Sequence, residues 1–280
     1  MLFCTGSAQS QPTLQLSSDG VWSLPGEWFG GFSGIELSAD GARATVITDK
    51  GNLAQIALIR AEGKITGIQV LKQIPLRFAN GSILRGLYTD AEGLAETATG
   101  AFYISFEQHH RIARLNPKTG VTETLPRATT FAAFQPNAGL ESIAVHPDGT
   151  LYTLSERPSI GRGSFDLHAY DAQGWRITHR IPKRGPFLPV GADFDPGGLL
   201  YLLERTVSPL GFRSRIRRFN LDADTLSEET LLTTAPGHFD NLEAISVWQD
   251  TTGATRLTMI SDDNFMRIQR TQIVEYILNE

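Results

Sequence analysis

The stretch GLESIAVHPDGTLYTLSER, Gly139–Arg157, decides how this chain is read. Apolar residues alternate up to His146, Pro147-Asp148-Gly149 turns the chain, and Leu151-Tyr152-Thr153-Leu154 runs back. Alternation on both sides of an Asp-Gly turn is the pattern of a β-hairpin, here opened by Glu141 and closed by Glu156-Arg157. Four looser copies surround it. Ser33-Gly34-Ile35 leads through Asp40-Gly41 to Thr48-Asp49-Lys50, and Glu92-Gly93-Leu94 through Thr99-Gly100 to Phe106-Glu107. Val190-Gly191-Ala192 leads to Leu203-Glu204-Arg205, and Glu243-Ala244-Ile245 to Ser261-Asp262-Asp263-Asn264.

The repeats start at Ser33, Glu92, Glu141, Val190 and Glu243, at intervals of 59, 49, 49 and 53 residues. Such periods belong to β-propeller blades. Each interval has room for four short strands: Gly34–Leu37, Ala44–Thr48, Leu53–Ile59 and Ile65–Ile74 in the first, and Ser142–Val145, Leu151–Ser155, Asp166–Tyr170 and Trp175–Ile181 in the third. Helical periodicity is absent, and Asp-Gly, Asn-Gly, Gly-Gly and Pro-Gly pairs punctuate the chain instead. The last interval offers only Ala244–Val247, Leu257–Ile260 and Gln272–Ile277, whereas Leu14–Leu24 is a strand without a blade. Pairing that run as the outer strand of the last blade closes the ring and leaves no raw edge. The expectation is an all-β chain, a single β-propeller domain over residues 12–280 with five four-stranded blades. Six blades would follow if the long first interval hid a further hairpin.

Hydrophobic content of 41% with 20% charged residues suits a globular chain with a large core. A net charge of -5 gives no reason to expect nucleic acid or an anionic membrane as a partner. The single cysteine, Cys4, excludes an internal disulfide framework and any cysteine-based metal site. Residues 1–11 read as the remnant of an export signal, with Gly6-Ser7-Ala8 in a small-x-small pattern and a polar start after it, or else as a plain disordered N-terminus. A periplasmic or secreted monomer is therefore expected. No later apolar run reaches transmembrane length.

In a propeller blade the innermost strand follows the central channel and the second strand returns beside it. The head of the first and the end of the second therefore meet at one face. Glu92, Glu141 and Glu243 head inner strands, and Asp49, Glu107, Glu156, Glu204 and Asp262 end returning ones, so eight carboxylates are expected around one mouth. Like charges so crowded raise one another's pKa unless a cation, arginine partners or shared protons compensate them. A hard divalent ion such as calcium suits Glu92, Glu141, Glu243 and Asp262 as oxygen ligands. Arg157 and Arg205, which follow Glu156 and Glu204, are candidates to hold an anionic group, as are Arg85 and Asn264 in the loops. The loops above this mouth are long and rich in cations and amides, among them Lys50, His109-His110-Arg111, Gln135-Pro136-Asn137 and Pro158–Arg162, while the far face is mostly tight turns. Glu156, Glu204 and His238, the last with Asp240 and Glu243 nearby, are the candidate general bases. Gly31-Phe32-Ser33-Gly34 lacks the final glycine of a nucleophile elbow. No phosphate loop or dinucleotide fingerprint is present.

Several of these segments carry a resemblance. Gly31-Phe32-Ser33-Gly34-Ile35 with Thr48-Asp49-Lys50-Gly51, Asp90-Ala91-Glu92-Gly93-Leu94, Gly139-Leu140-Glu141-Ser142-Ile143, Leu154-Ser155-Glu156-Arg157-Pro158, Leu202-Leu203-Glu204-Arg205, Asp240-Asn241-Leu242-Glu243-Ala244-Ile245 and Ile260-Ser261-Asp262-Asp263-Asn264 together resemble the phytase-like family. The resemblance runs from about Gly31 to Tyr276 and implies a β-propeller and an exported, hydrolase-like protein. Ser33 and Val190 stand where the other repeats carry Glu, which leaves the number of metal ligands open. The expected function is metal-assisted hydrolysis of an ester or phosphoester at the channel mouth, on a small anionic or ester substrate. Two alternatives stand beside it: a calcium-dependent lactonase-like hydrolase, and a non-catalytic propeller whose ion is structural and whose loop face docks a ligand or protein.

Overall fold

A computed structural model describes residues 11–134, 139–158, 163–223 and 225–280. The candidate loop Gln135-Pro136-Asn137, much of Pro158–Arg162, and the export segment with Cys4 lie outside these residues. Twenty strands make five four-stranded antiparallel sheets. The first blade is β2 (Phe32–Leu37), β3 (Arg43–Thr48), β4 (Asn52–Ala61) and β5 (Lys64–Pro75). The second is β6 (Ala91–Glu96), β7 (Phe102–Phe106), β8 (Arg111–Leu115) and β9 (Thr122–Thr124). The third is β10 (Leu140–Val145), β11 (Leu151–Ser155), β12 (Ser164–Asp171) and β13 (Gly174–Pro182). The fourth comprises β14 (Leu188–Phe194), β15 (Leu199–Ser208), β16 (Gly211–Asn220) and β17 (Ser227–Thr233). The fifth holds β18 (Asn241–Gln249), β19 (Thr255–Asp262) and β20 (Gln272–Asn279), completed by β1 (Thr13–Val21) on its outer edge. There are five blades, with no sixth hidden in the long first interval.

The inner strands touch in the order β2, β6, β10, β14, β18 and back to β2, which closes the ring. Blades stack face to face, so their central strands are covered on both sides. All six residues of β2 and all six of β10 are buried, whereas the outer strand β5 alternates between exposed and half-buried. Each of the five interfaces between blades has its own apolar cluster. Ile35, Val46 and Ile56 meet Trp248 and Ile260 between the first and fifth blades, and Phe165, Leu167 and Leu154 meet Phe194 and Leu202 between the third and fourth. The hydrophobic gain is thus spread around the ring rather than gathered in one centre.

Candidate functional site

The ladder between the first two strands breaks once in every blade, and always at the same place. The register skips between Phe32 and Gly34, Ala91 and Gly93, Leu140 and Ser142, Pro189 and Gly191, and Leu242 and Ala244. The extra, unpaired residues are Ser33, Glu92, Glu141, Val190 and Glu243, which are the five repeat starts. A bulge re-aims the side chain it carries, and five of them in phase gather these residues around one mouth. The residue after each bulge is small because neighbouring inner strands approach closely there. A Cβ on Gly93 would stand 2.9 Å from the amide nitrogen of Ile143, and one on Gly191 2.9 Å from the carbonyl of Glu243. Below the bulges, Ile35, Leu94, Ile143, Ala192 and Ile245 line the axis and leave only about 10 Å³ of open space. The mouth is a dead end, not a pore.

The bulges also fix which residue of each returning strand reaches the mouth. Thr48, Phe106, Ser155, Glu204 and Ser261 pair just before or beside the bulge, and all are buried in the blades. The following residues are Asp49, Glu107, Glu156, Arg205 and Asp262. In the fourth blade, therefore, Arg205 and not Glu204 takes the place that acids hold elsewhere. Aligning Glu204 with Glu156 is wrong by one position, and a one-residue shift in a strand puts a side chain on the opposite face. Glu204 is fully buried within its blade, where Oε2 accepts from Arg215 Nε at 2.6 Å and Arg217 Nε at 2.8 Å, and Oε1 from Arg217 Nη2 at 2.5 Å. Both of its oxygens are taken. It is a structural ion pair, so seven of the eight expected carboxylates remain at the mouth, with Arg205 in the place of the eighth.

Glu92, Glu141 and Glu243 each offer a carboxylate oxygen, and the three atoms lie within 4.8 Å of one another. Asp90, Glu92 and Glu107 form a second group of the same closeness. Burial, and then the neighbouring carboxylates, push Glu92 and Glu141 well above the usual carboxylate range. Burial raises Asp49 to about 6, and burial with Glu243 raises Asp262 to about 8. Asp262 is linked to Glu243 and Asp49 by charge but stands outside the three-acid group. Two forms of compensation are visible. Carboxyl pairs lie within hydrogen-bonding reach, Glu107 with Glu141 and Asp90 with Glu92, and such a pair can hold one proton between its two members. Arg205 supplies the other. It pairs with Glu243, donates to Asn241 Oδ1 at 2.6 Å, and has Nη2 3.9 Å from Glu156. Burial opposes the Arg205 charge, but Glu243, Glu141, Glu156 and Asp262 outweigh it and hold its pKa above the usual value.

The other expected residues are placed less tightly. Arg157 is mostly exposed, with Nε 3.8 Å from Glu156. Asn264 is exposed with a left-handed backbone (φ 47°), and its amide donates to Asp262 Oδ1 at 2.7 Å. Arg85 is an exposed loop residue with no side-chain contact to the acids among the described residues. His238 is exposed and packs on Phe239, with ring centroids 4.3 Å apart. Asp240 does not orient it, since that carboxylate accepts from the amides of Asn241 at 3.0 Å and Arg270 at 2.8 Å. Asp90 and Asn241 were not singled out as site residues. Both lie two places before a bulge glutamate, and Asn241 donates to Glu243 Oε1 at 2.6 Å. The period of two along a strand was the available signal.

Three hard oxygen donors spaced this way fit a single ion such as calcium, whose ligands stand about 2.3–2.6 Å from it, and do not fit a metal that prefers sulfur or nitrogen. The trio fills only part of such an ion's coordination of about six to eight oxygens, so water or substrate would complete it.

Comparison with known proteins agrees with this architecture. The structure matches an aldose sugar dehydrogenase from Streptomyces coelicolor, solved with PQQ bound, over 97% of this chain and 99% of that one, at 10% identity and a TM-score of 0.54. It also matches virginiamycin B lyase from Staphylococcus aureus (14% identity, 90% and 71% of the chains, TM-score 0.45) and a gluconolactonase from Xanthomonas campestris (17%, 88% and 72%, TM-score 0.43). At these identities the first likeness is one of fold, and the other two are too distant to carry an argument. No curated protein matches the sequence. The phytase-like model, described as esterase-like activity of phytase, matches residues 27–265, and with that span covering most of the chain the protein belongs to the phytase-like family.

Proposed function

We propose that the protein is a hydrolase of a small anionic ester or phosphoester, acting at the acid-ringed mouth with a calcium-like ion held by Glu92, Glu141 and Glu243. One observation carries this reading. Bulges at the same position of three blades bring three carboxylates within 4.8 Å at the dead end of a channel, where they have no packing role. Membership of an esterase-like family supports it.

A bound ion would polarise the ester oxygen and lower the pKa of a water beside it. The chain's own groups supply the rest. Glu156 is the base that best suits the geometry, because it is half-buried, lies at the mouth and has an oxygen not pinned by a close ion pair. Glu204 and His238 are not retained in that role. Arg205 pairs with Glu243 of the trio and Arg157 lies 3.8 Å from Glu156, so these two cations suit an anionic substrate. An exported location remains part of this proposal.

The test is calcium titration calorimetry on the purified protein and on Glu141→Gln, with phosphate esters, carboxylic esters and lactones then assayed with and without the ion. Stoichiometric calcium binding that the variant loses, together with calcium-dependent turnover, is expected. Absence of calcium heat in the wild type would overturn the metal-assisted mechanism and favour a binding propeller whose acids are neutralised by Arg205 and shared protons alone.

A further inference from the structure

Away from the acid trio, on the rim of the second blade, lies an open pocket of about 450 Å³ lined by Phe78, Asn80, Tyr88, Arg111, Thr122 and Thr124. That is ample for a ring-sized ligand. Arg111 sets its character. Only 8% of this residue is exposed, and its guanidinium carbon stacks 3.6 Å from the centroid of the Phe106 ring. Its two hydrogen bonds go to neutral acceptors: Nη2 donates to the Tyr88 carbonyl at 2.7 Å, and Nη1 to the His109 carbonyl at 3.3 Å. A guanidinium has five N–H donors, so three are left for a ligand or water.

Among the described residues three arginines are buried, and the contrast between them is informative. Arg215 and Arg217 both pair with Glu204, but no carboxylate lies within ion-pair distance of Arg111. A buried charge without a partner is costly. Burial pulls the Arg111 pKa down to about 10, with Arg127 adding to the effect, while Tyr88 and, beyond ion-pair distance, Asp90 oppose it. The surroundings supply recognition of a different kind. The Tyr88 ring stacks on His109 at 4.2 Å and 21°, Phe78 meets its edge at 5.2 Å, and Tyr88 keeps 42% of its surface exposed. Asn80 spends its carbonyl oxygen on the amide and hydroxyl of Ser82, so its amide hydrogens remain as donors.

We propose that this pocket is a recognition site for a small aromatic carboxylate, with the carboxylate on the Arg111 fork and the ring against Tyr88 and Phe78. A single buried guanidinium matches one carboxylate in charge and geometry, and the aromatic walls favour a flat ring over a saturated one. The pocket shares no lining residue with the acid trio, and the proposal does not depend on the hydrolase reading.

The experiment is calorimetric titration of the full-length protein with benzoate, cyclohexanecarboxylate and inorganic phosphate up to about 10 mM, a range that detects even weak sites. Benzoate should bind at one site per chain, and the other two several-fold more weakly. Arg111→Lys, which keeps the charge but loses the fork, should weaken benzoate at least tenfold. Thr124→Trp fills the pocket from an exposed position with Arg111 itself unaltered, and should abolish binding while leaving the melting temperature and calcium binding unchanged. Three results would each overturn the proposal: no benzoate binding to the wild type, unaltered affinity in Thr124→Trp, or equal affinity for all three anions.

Discussion

Glu204 and Arg205 are neighbours with opposite fates, and a substitution can separate their roles. Glu204 sits between Arg215 and Arg217 inside the fourth blade. Glu204→Gln should therefore cost about 3–5 kcal/mol, as is usual when one partner of a buried pair is removed, and denaturant unfolding will measure it. Calcium affinity should stay within about twofold of wild type, because the two sites share no side chain. Arg205→Gln should do the reverse, with a smaller loss of stability and a large change at the mouth, where it neutralises Glu243. The mouth acids also set a pH dependence. Asp49, at about 6, and Asp262, at about 8, have folded values above the ordinary 3.8, and Glu92 and Glu141 are raised as well. Asp193, raised to about 7 mainly by burial, and Glu36, raised by burial and by Asp193, add to the effect from elsewhere in the ring. Across that window the folded chain holds protons that the unfolded chain has released, so stability falls as pH rises from about 4 to 8. In chelator the melting temperature should drop over this range, by about 2–4 °C for each kcal/mol lost. Calcium should restore the part due to the mouth, and Glu141→Gln should flatten the slope.

At the scale of elements, the bulge is the device that turns a repeated strand into a site. Strand order, the blade boundaries and the closure by β1 were legible in the sequence, because alternation and Asp-Gly turns report directly on strands and hairpins. The bulge was not, since one extra residue in a strand leaves the alternation on either side intact. Its effect surfaced only where it mattered, at Glu204, which looks like Glu156 in sequence but lies one step out of phase. The identity of the three trio glutamates was readable because a repeated acid facing a channel has no core to serve. Their partners Asn241 and Asp90 were marked only by standing two places before a repeat glutamate, a signal too general to single them out. Close packing next to the bulge can be tested with Gly191→Val. The added carbons would meet the Glu243 carbonyl and the Ala244 backbone, and such overpacking costs about 1–3 kcal/mol. Because the displaced strand carries Glu243, calcium affinity should fall together with the unfolding free energy. The milder Gly191→Ala should move both in the same direction by less.

Over the whole molecule, the ring is sealed by a strand from the far end of the chain. β1 pairs with β20 from Thr13 opposite Asn279 to Val21 opposite Gln272, and Trp22 continues the join by donating to the Thr271 carbonyl at 2.8 Å. Removing residues 1–21 should leave the β20 edge bare, and light scattering after size exclusion should then show concentration-dependent association. A stable monomer from the shortened chain would mean that β20 needs no cover.

The direction of that pairing has a mechanical consequence. In the antiparallel seam Thr13 and Asn279 face each other at the same end of the ladder. A force applied through the two ends of the folded chain therefore loads the hydrogen bonds one after another, as in a zipper, and not all at once in shear. Pulled from its ends, this ring should yield first at the seam and at low force, peeling β1 away while four blades remain whole.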